Sequence, residues 1–164
     1  MSDRAVILLV EDSEDDVLLI RRAFLKGMII NPLHAVRNGE AAIGYLEGLG
    51  PYANRAEYPL PALVLLDLKL PGMDGFEVLT WIRRHPTLST LRVVVLTSSG
   101  QAQDVNRAYK LGANSFLVKP VEFERFVEMS KALKGYWLWF SETPEVNRPP
   151  LPQSSVKEHN RPAA

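Results

Sequence analysis

The sequence of 164 residues has no cysteine, no long apolar run and no net charge. The lack of cysteine excludes a disulfide framework and thiolate metal sites, and it is typical of a reducing cytosol. No apolar stretch approaches the ~18 residues that a membrane-spanning helix needs, and no signal peptide is visible. Lys plus Arg and Asp plus Glu both number 19, so no basic field attracts nucleic acid or an anionic membrane. We therefore expect a cytoplasmic protein without nucleic acid or membrane partners.

Apolar, β-rich runs alternate with amphipathic helical segments along most of the chain. The predicted strands are Val6–Val10, Leu33–Val36, Leu63–Leu66, Val93–Leu96 and Ser115–Val118. The predicted helices cover residues 14–26, 39–49, 76–84, 102–111 and 122–140. This alternation is typical of a doubly wound α/β domain, in which helices cover both faces of a parallel sheet. We expect one such domain over residues 4–140 and an ordered surface loop at residues 50–62. Residues 141–164 are rich in proline and polar residues, which predicts a tail.

Polar side chains end four of the predicted strands. Glu11 and Asp12 follow the first strand, Asp67 the third, Thr97 the fourth and Lys119 the fifth. The carboxyl ends of parallel strands share one edge of a sheet, so these side chains should converge there. Carboxylates are ligands that Mg²⁺ prefers, and an ammonium and a hydroxyl can neutralise and orient a phosphoryl group. The pattern therefore predicts a site for Mg²⁺ and for phosphoryl transfer to the carboxylate of Asp67.

Each residue of this set also has a simpler structural explanation when it is taken alone. Acids at a strand-to-helix junction often cap the helix or interact with its dipole, and Asp15 and Asp16 fit that role in the first predicted helix. Either Asp12 or Ser13 could be its N-cap. Threonine is common in strands, so Thr97 alone indicates little. The order of the whole set is far more specific than any member. The three histidines lie in different segments without ligand spacing, so no histidine metal site is expected.

These motifs resemble the receiver domain of two-component response regulators. The matching stretches are Ile7–Ser13, Val64–Gly75, Val93–Ser99 and Gly112–Pro120, and they frame roughly residues 4–135. The resemblance implies a flavodoxin-like (βα)₅ sandwich with strand order 2-1-3-4-5. It also implies that the chain works as a switch in signal transduction.

The resemblance further implies roles for individual residues. Asp67 would accept a phosphoryl group from the phosphohistidine of a sensor histidine kinase. Mg²⁺ would be bound by Asp12, Asp67 and the backbone carbonyl of Lys69, and through water by Glu11. Many relatives have Asp where this chain has Glu11.

Three residues would then act on the phosphoryl group or respond to it. Lys119 would pair with the phosphate, and Thr97 and Phe116 would be the switch pair. The peptide bond between Lys119 and Pro120 would be cis.

The loop at 50–62 and the aromatic end of the last helix are similar to single-domain regulators that partner bacterial phytochrome-type kinases. One apolar stripe of this helix would face the sheet: Phe123, Phe126, Val127, Ser130, Leu133, Trp137 and Phe140. Further apolar residues lie off the stripe: Met129, Tyr136, Leu138 and Trp139. Because one core cannot cover both faces, we expect a homodimer through the C-terminal helix. The alternative is that these aromatics fold beneath the protein's own 50–62 loop.

Two other functions compete with this interpretation. A phosphatase that forms an aspartyl phosphate usually needs a second Asp two positions later, where this chain has Lys69. A flavodoxin-like cofactor or nucleotide binder would use the same sheet edge, but the chain lacks a glycine-rich phosphate loop. The expected function is a single-domain regulator that catalyses only its own phosphorylation and dephosphorylation. Its output would be a switch in protein contacts, because the residues after the last helix are too few for a DNA-binding domain.

Overall fold

The computed structural model describes residues 4–140, and the side chains of residues 4–137. Five parallel strands form one sheet in the order β2-β1-β3-β4-β5. The strands are β1 (Ile7–Val10), β2 (Leu33–Val36), β3 (Leu63–Leu66), β4 (Val93–Thr97) and β5 (Ser115–Val118). The helices are α1 (Glu14–Lys26), α2 (Gly39–Glu47), α3 (Gly75–Arg84), α4 (Ala102–Lys110) and α5 (Phe123–Leu133). The predicted flavodoxin-like fold and its strand order are therefore confirmed.

The sheet is covered on both faces, which explains why its central strands are apolar throughout. Successive strand residues point to opposite faces, so Leu8 and Val10 pack with α2 and α3. Ile7 and Leu9 pack on the other face with α1 and α5. Each face has its own buried cluster. No helix in the described part of the chain is long and apolar enough to cross a bilayer.

Short polar side chains begin three of the helices. Ser13 accepts a hydrogen bond from the backbone N–H of Asp16 at 3.2 Å and is the N-cap of α1. Asn38 caps α2, and Asp74 forms a capping box at the start of α3. The prediction that α2 reaches residue 49 is wrong. The helix stops because Gly48 adopts a left-handed conformation with φ of 69°.

The long loop at 50–62 packs against α2. It begins with a 3₁₀ turn, Gly50–Tyr52, and is fastened by Arg55. The Arg55 guanidinium donates to the carbonyls of Tyr45 and Leu46 at 2.6 and 2.5 Å, and to Tyr58 O at 3.0 Å. Carbonyls at a helix C-terminus lack their i+4 partners within the helix, and the guanidinium donates to two of them. The ordered loop that the sequence predicts is therefore present.

The C-terminal helix differs from its prediction. It ends at Leu133, and Lys134–Phe140 continues in wider π-helical turns. Gly135 weakens the α-helix here, and the guanidinium of Arg92 lies 5.8 Å from the Trp137 ring. Trp137 and Met129 both pack on the cluster shared by α1 and α5. The expectation that Met129 adds surface elsewhere is therefore wrong, because it packs on the same cluster as the rest of α5.

The described aromatics of this C-terminal segment do not lie under the loop at 50–62. The tyrosines of the loop, Tyr52 and Tyr58, pack on the sheet face of α2 and α3. Trp137 packs on the opposite face. The side chains of Leu138, Trp139 and Phe140, and the predicted tail at 141–164, lie outside the described residues.

Candidate functional site

The parallel ladder brings the predicted polar residues to one edge of the sheet. The N–H of Asp67 donates to the carbonyl of Val10 at 3.0 Å, which fixes the end of β3 beside the end of β1. The N–H of Lys119 donates to the carbonyl of Thr97 at 2.8 Å and fixes β5 beside β4. Backbone hydrogen bonds therefore set the spacing of the site.

Three carboxylates form an acidic cluster at this edge. Glu11, Asp12 and Asp67 each have an oxygen within 4.8 Å of the others. Glu11 and Asp67 are buried, whereas Asp12 is exposed. Buried like charges repel one another, and a bound cation would relieve that repulsion. Because the donors are hard oxygens and one of the three is open to solvent, the cluster fits a divalent cation that retains water ligands.

The ammonium group of Lys119 brings a positive charge to this site. Its ammonium donates to Glu11 in a short hydrogen bond, to Asp16 Oδ2 at 2.9 Å and to Asp67 Oδ2 at 3.2 Å. An ammonium has three donors, and all three have carboxylate partners here. The side chain is only 9% exposed. Lys119 therefore compensates part of the buried negative charge.

The pKa values of the pair reflect burial and this contact. Burial alone would lower the pKa of Lys119, but the hydrogen bonds to Glu11 and Asp16 outweigh it, and the pKa is raised. Burial raises the pKa of Glu11 to about 7, although the hydrogen bond from Lys119 lowers it. Lys119 therefore stays charged at neutral pH.

Thr97 ends β4 and is fully buried. Among the described residues, its hydroxyl is the buried side-chain oxygen without a hydrogen-bond partner. An unsatisfied buried hydroxyl costs about 1–3 kcal/mol, so its presence here calls for an explanation such as a functional role. Thr97 therefore has a hydroxyl available for a ligand at the edge where Asp67 and Lys119 lie.

Phe116 lies on β5, opposite Val95 of β4 and two residues before the partner of Thr97. Its side chain is partly buried and packs on the cluster of α2 and α3. Its backbone N–H donates to the hydroxyl of Tyr109 on α4 at 3.2 Å. The two residues of the predicted switch pair thus lie on neighbouring strands, and Tyr109 links β5 to α4.

The bond between Lys119 and Pro120 is trans, because residues 4–140 contain no cis peptide bond. The expected cis bond is therefore wrong, and trans is the isomer that X–Pro bonds ordinarily favour by roughly 0.5–1 kcal/mol.

The N–H of Lys69 donates to Asp67 Oδ1 at 3.2 Å. The role of the Lys69 carbonyl as a metal ligand stays a prediction.

Sequence reasoning missed Asp16, which it assigned to the helix dipole. The sequence feature that could have indicated a role for Asp16 is the N-cap at Ser13. A residue three positions after the N-cap lies in the first turn of α1, next to the sheet edge. Helical side chains tilt toward the N-terminus, which directs Asp16 to the site.

The comparisons with known proteins agree with this geometry. The family model for the response regulator receiver domain matches residues 7–131. The chain belongs to this family. It is a receiver domain of two-component signalling, which accepts a phosphoryl group and passes the signal on through a conformational switch.

Two relatives match most of the chain. The probable methanogenesis regulatory protein FilR2 of Methanothrix harundinacea is 42% identical over 87% of this chain and 89% of its own length. The response regulator Rcp1 of Synechocystis is 39% identical over 84% of this chain and 95% of its own length. Both relatives are therefore similar to this chain over nearly their whole length.

Three solved structures share the fold. The response regulator RPA3017 in red light signalling of R. palustris has a TM-score of 0.82 at 34% identity and covers 85% of this chain and 98% of its own. The phosphorylated cyanobacterial phytochrome response regulator RcpA has a TM-score of 0.78 at 35% identity, with coverage of 86% and 99%. The Mn²⁺-bound form of Rcp1 has a TM-score of 0.76 at 38% identity, with coverage of 85% and 99%.

Proposed function

We propose that Asp67 is the phosphoacceptor and that a sensor histidine kinase is the donor. The observation that carries this proposal is that Asp67 belongs to the acidic cluster and also contacts Lys119. One Asp67 oxygen attacks the phosphorus while the bond from phosphorus to the kinase imidazole breaks, and the imidazole leaves with the bonding electrons. The product is an aspartyl phosphate.

The other residues neutralise and orient the phosphoryl group. Glu11, Asp12, Asp67 and the Lys69 carbonyl would hold Mg²⁺, with Glu11 acting through water, and the bound ion would neutralise charge on the phosphoryl oxygens. Lys119 supplies a second positive charge next to Asp67. The Thr97 hydroxyl, which is without a partner in the described part of the chain, would donate to the phosphoryl group.

The partner kinase that we propose is of the bacterial phytochrome type. Support comes from the similarity to RPA3017, a response regulator in red light signalling, and to RcpA, a phytochrome response regulator. We place the reaction in the cytoplasm, and we propose that the chain catalyses only its own phosphorylation and dephosphorylation.

The assay is transfer of labelled phosphoryl from an autophosphorylated phytochrome-type kinase, with an unrelated sensor kinase as the comparison. Asp67→Asn is the decisive variant.

The switch should depend on Thr97. We expect Thr97→Ala to be phosphorylated but to lose most of the structural response, since the hydroxyl that would bind the phosphoryl group is gone. Loss of the Thr97 hydroxyl, which has no partner among the described residues, relieves the cost of burying it. Loss of the buried methyl group costs about 1 kcal/mol, so the free energy of unfolding should change little. Amide chemical shifts around Phe116, measured before and after beryllofluoride, check this result.

Thr80→Ala is the matched control for this experiment. The Thr80 hydroxyl donates to Phe76 O within α3 at 2.9 Å, so its removal should leave the response to beryllofluoride intact. Equal shift changes in wild type and Thr97→Ala would contradict the proposed role of Thr97.

We also propose a homodimer through the C-terminal segment, so that the output is a protein contact and not binding to nucleic acid or membrane. Tyr136 is 64% exposed. Three further apolar side chains, Leu25, Met28 and Ile30, are at least as exposed. Lys134 donates to the carbonyl of Met28 at 2.7 Å, so this apolar patch adjoins the C-terminal segment. Exposed apolar patches of this kind usually mark interfaces.

Sedimentation at micromolar concentration tests the dimer. Wild type should sediment as a dimer, and Ile30→Ala and Tyr136→Ala should each weaken the association about tenfold. Leu49→Ala is the control, because Leu49 is exposed but lies beside the 50–62 loop. A monomeric wild type, both with and without beryllofluoride, would exclude the dimer.

A further inference from the structure

Asp16 differs from the other carboxylates that contact Lys119. Glu11 and Asp67 belong to the acidic cluster that fits a metal ion, whereas Asp16 lies outside it. The Asp16 side chain is 39% exposed, compared with 1% for Glu11 and 8% for Asp67. Lys119 is thus shared between the metal cluster and one carboxylate that the cluster does not use.

A metal ion in the acidic cluster and Lys119 draw on the same two carboxylates, Glu11 and Asp67. An ion in the acidic cluster draws on Glu11 and Asp67, and its positive charge repels the nearby ammonium. Phosphorylation then converts one Asp67 oxygen into the bridging oxygen of an acyl phosphate. Among the described partners of Lys119, only Asp16 keeps a carboxylate that neither the ion nor the phosphoryl group uses.

Asp16 is also held in place by the turn that holds Glu11. The backbone N–H of Ser13 donates to Glu11 Oε1 at 3.1 Å, and the Ser13 hydroxyl accepts from the N–H of Asp16 at 3.2 Å. This turn connects the end of β1 to the first turn of α1. The distance between the acidic cluster and Asp16 is therefore fixed by local hydrogen bonds.

We propose that Asp16 is a positioning residue for Lys119. It holds the ammonium at the sheet edge when a metal ion occupies Glu11 and Asp67, so that both positive charges are present when the phosphoryl group arrives. This inference rests on the proposed function of Asp67. Without Asp16, Lys119 would rely on Glu11 and Asp67 and would compete with the metal for them.

The test compares Asp16→Asn with Asp15→Asn. Asp15 is the neighbouring residue in the same helical turn, is exposed, and loses the same charge on substitution. Calorimetric titration with Mg²⁺ should give about fivefold weaker binding for Asp16→Asn. Asp15→Asn should weaken it less than about twofold, since only long-range attraction is lost. The affinity for beryllofluoride in the presence of Mg²⁺ should also fall more in Asp16→Asn than in Asp15→Asn.

A second background separates positioning from a general loss of charge. In Lys119→Met, Asp16→Asn should weaken Mg²⁺ binding no more than Asp15→Asn does, because the residue through which Asp16 acts is absent. Equal effects of Asp16→Asn in both backgrounds, or equal effects of the two Asn variants in wild type, would overturn the inference. If wild type binds Mg²⁺ but does not bind beryllofluoride, the proposed function of Asp67 fails instead.

Discussion

Asp67→Asn should lower phosphoryl transfer from the kinase by roughly 1,000-fold or more. An amide has no anionic oxygen to attack phosphorus, and the substitution also removes one carboxylate from the acidic cluster. The measurement is incorporation of labelled phosphoryl after mixing with an autophosphorylated kinase in Mg²⁺. Chelation of Mg²⁺ should stop transfer to the wild type as well.

Asp74→Asn is the matched control for this variant. Asp74 lies after β3, as Asp67 does, and it is the N-cap of α3. It is not part of the acidic cluster. Asn is as good an N-cap as Asp, so transfer to Asp74→Asn should match the wild type. If Asp67→Asn is labelled to the same extent as wild type, another residue is the phosphoacceptor and the central assignment is wrong.

The strands could be predicted from the sequence because both faces of the sheet are covered. Four of the five predicted strands begin at the residue where the observed strand begins. The exception is the first strand, which was predicted to begin at Val6, one residue before β1. Continuous apolar runs that end in a polar residue leave little choice of boundary. The end of α2 was harder to predict, since Leu46 and Leu49 continue the apolar spacing beyond the Gly48 stop. Only the left-handed conformation of Gly48 ends the helix.

The candidate site was predictable to the extent that topology determines it. Parallel strands bring Asp67 and Lys119 together, and no other information is needed for that. The position of Asp16 depends on the cap at Ser13 and on the reach of the Lys119 side chain. The π-helical segment Lys134–Phe140 includes Trp137, which contacts Arg92, a residue distant in sequence. Such contacts leave no periodic signal.

One glycine allows a helix to pack close to the backbone that carries Asp67. Gly75 is the first residue of α3, and its N–H donates to the carbonyl of Leu68 at 3.0 Å. A Cβ at this position would lie 2.2 Å from the carbonyl oxygen of Asp67 and 2.7 Å from the Cα of Leu68. Both atoms belong to the backbone, so no side chain can move aside. The close approach of α3 to the end of β3 therefore requires glycine.

Gly75→Ala should lower the free energy of unfolding by about 3 kcal/mol and weaken beryllofluoride binding, because the clash displaces the backbone that carries Asp67. Urea unfolding and beryllofluoride titration measure the two effects. Gly44→Ala is the control. Its added Cβ would meet nothing nearer than the Tyr52 ring at 3.8 Å, inside a helix, and should stabilise the protein by about 0.5–1 kcal/mol. A Gly75→Ala protein with wild-type stability and wild-type beryllofluoride affinity would mean that α3 does not approach Asp67 this closely in solution.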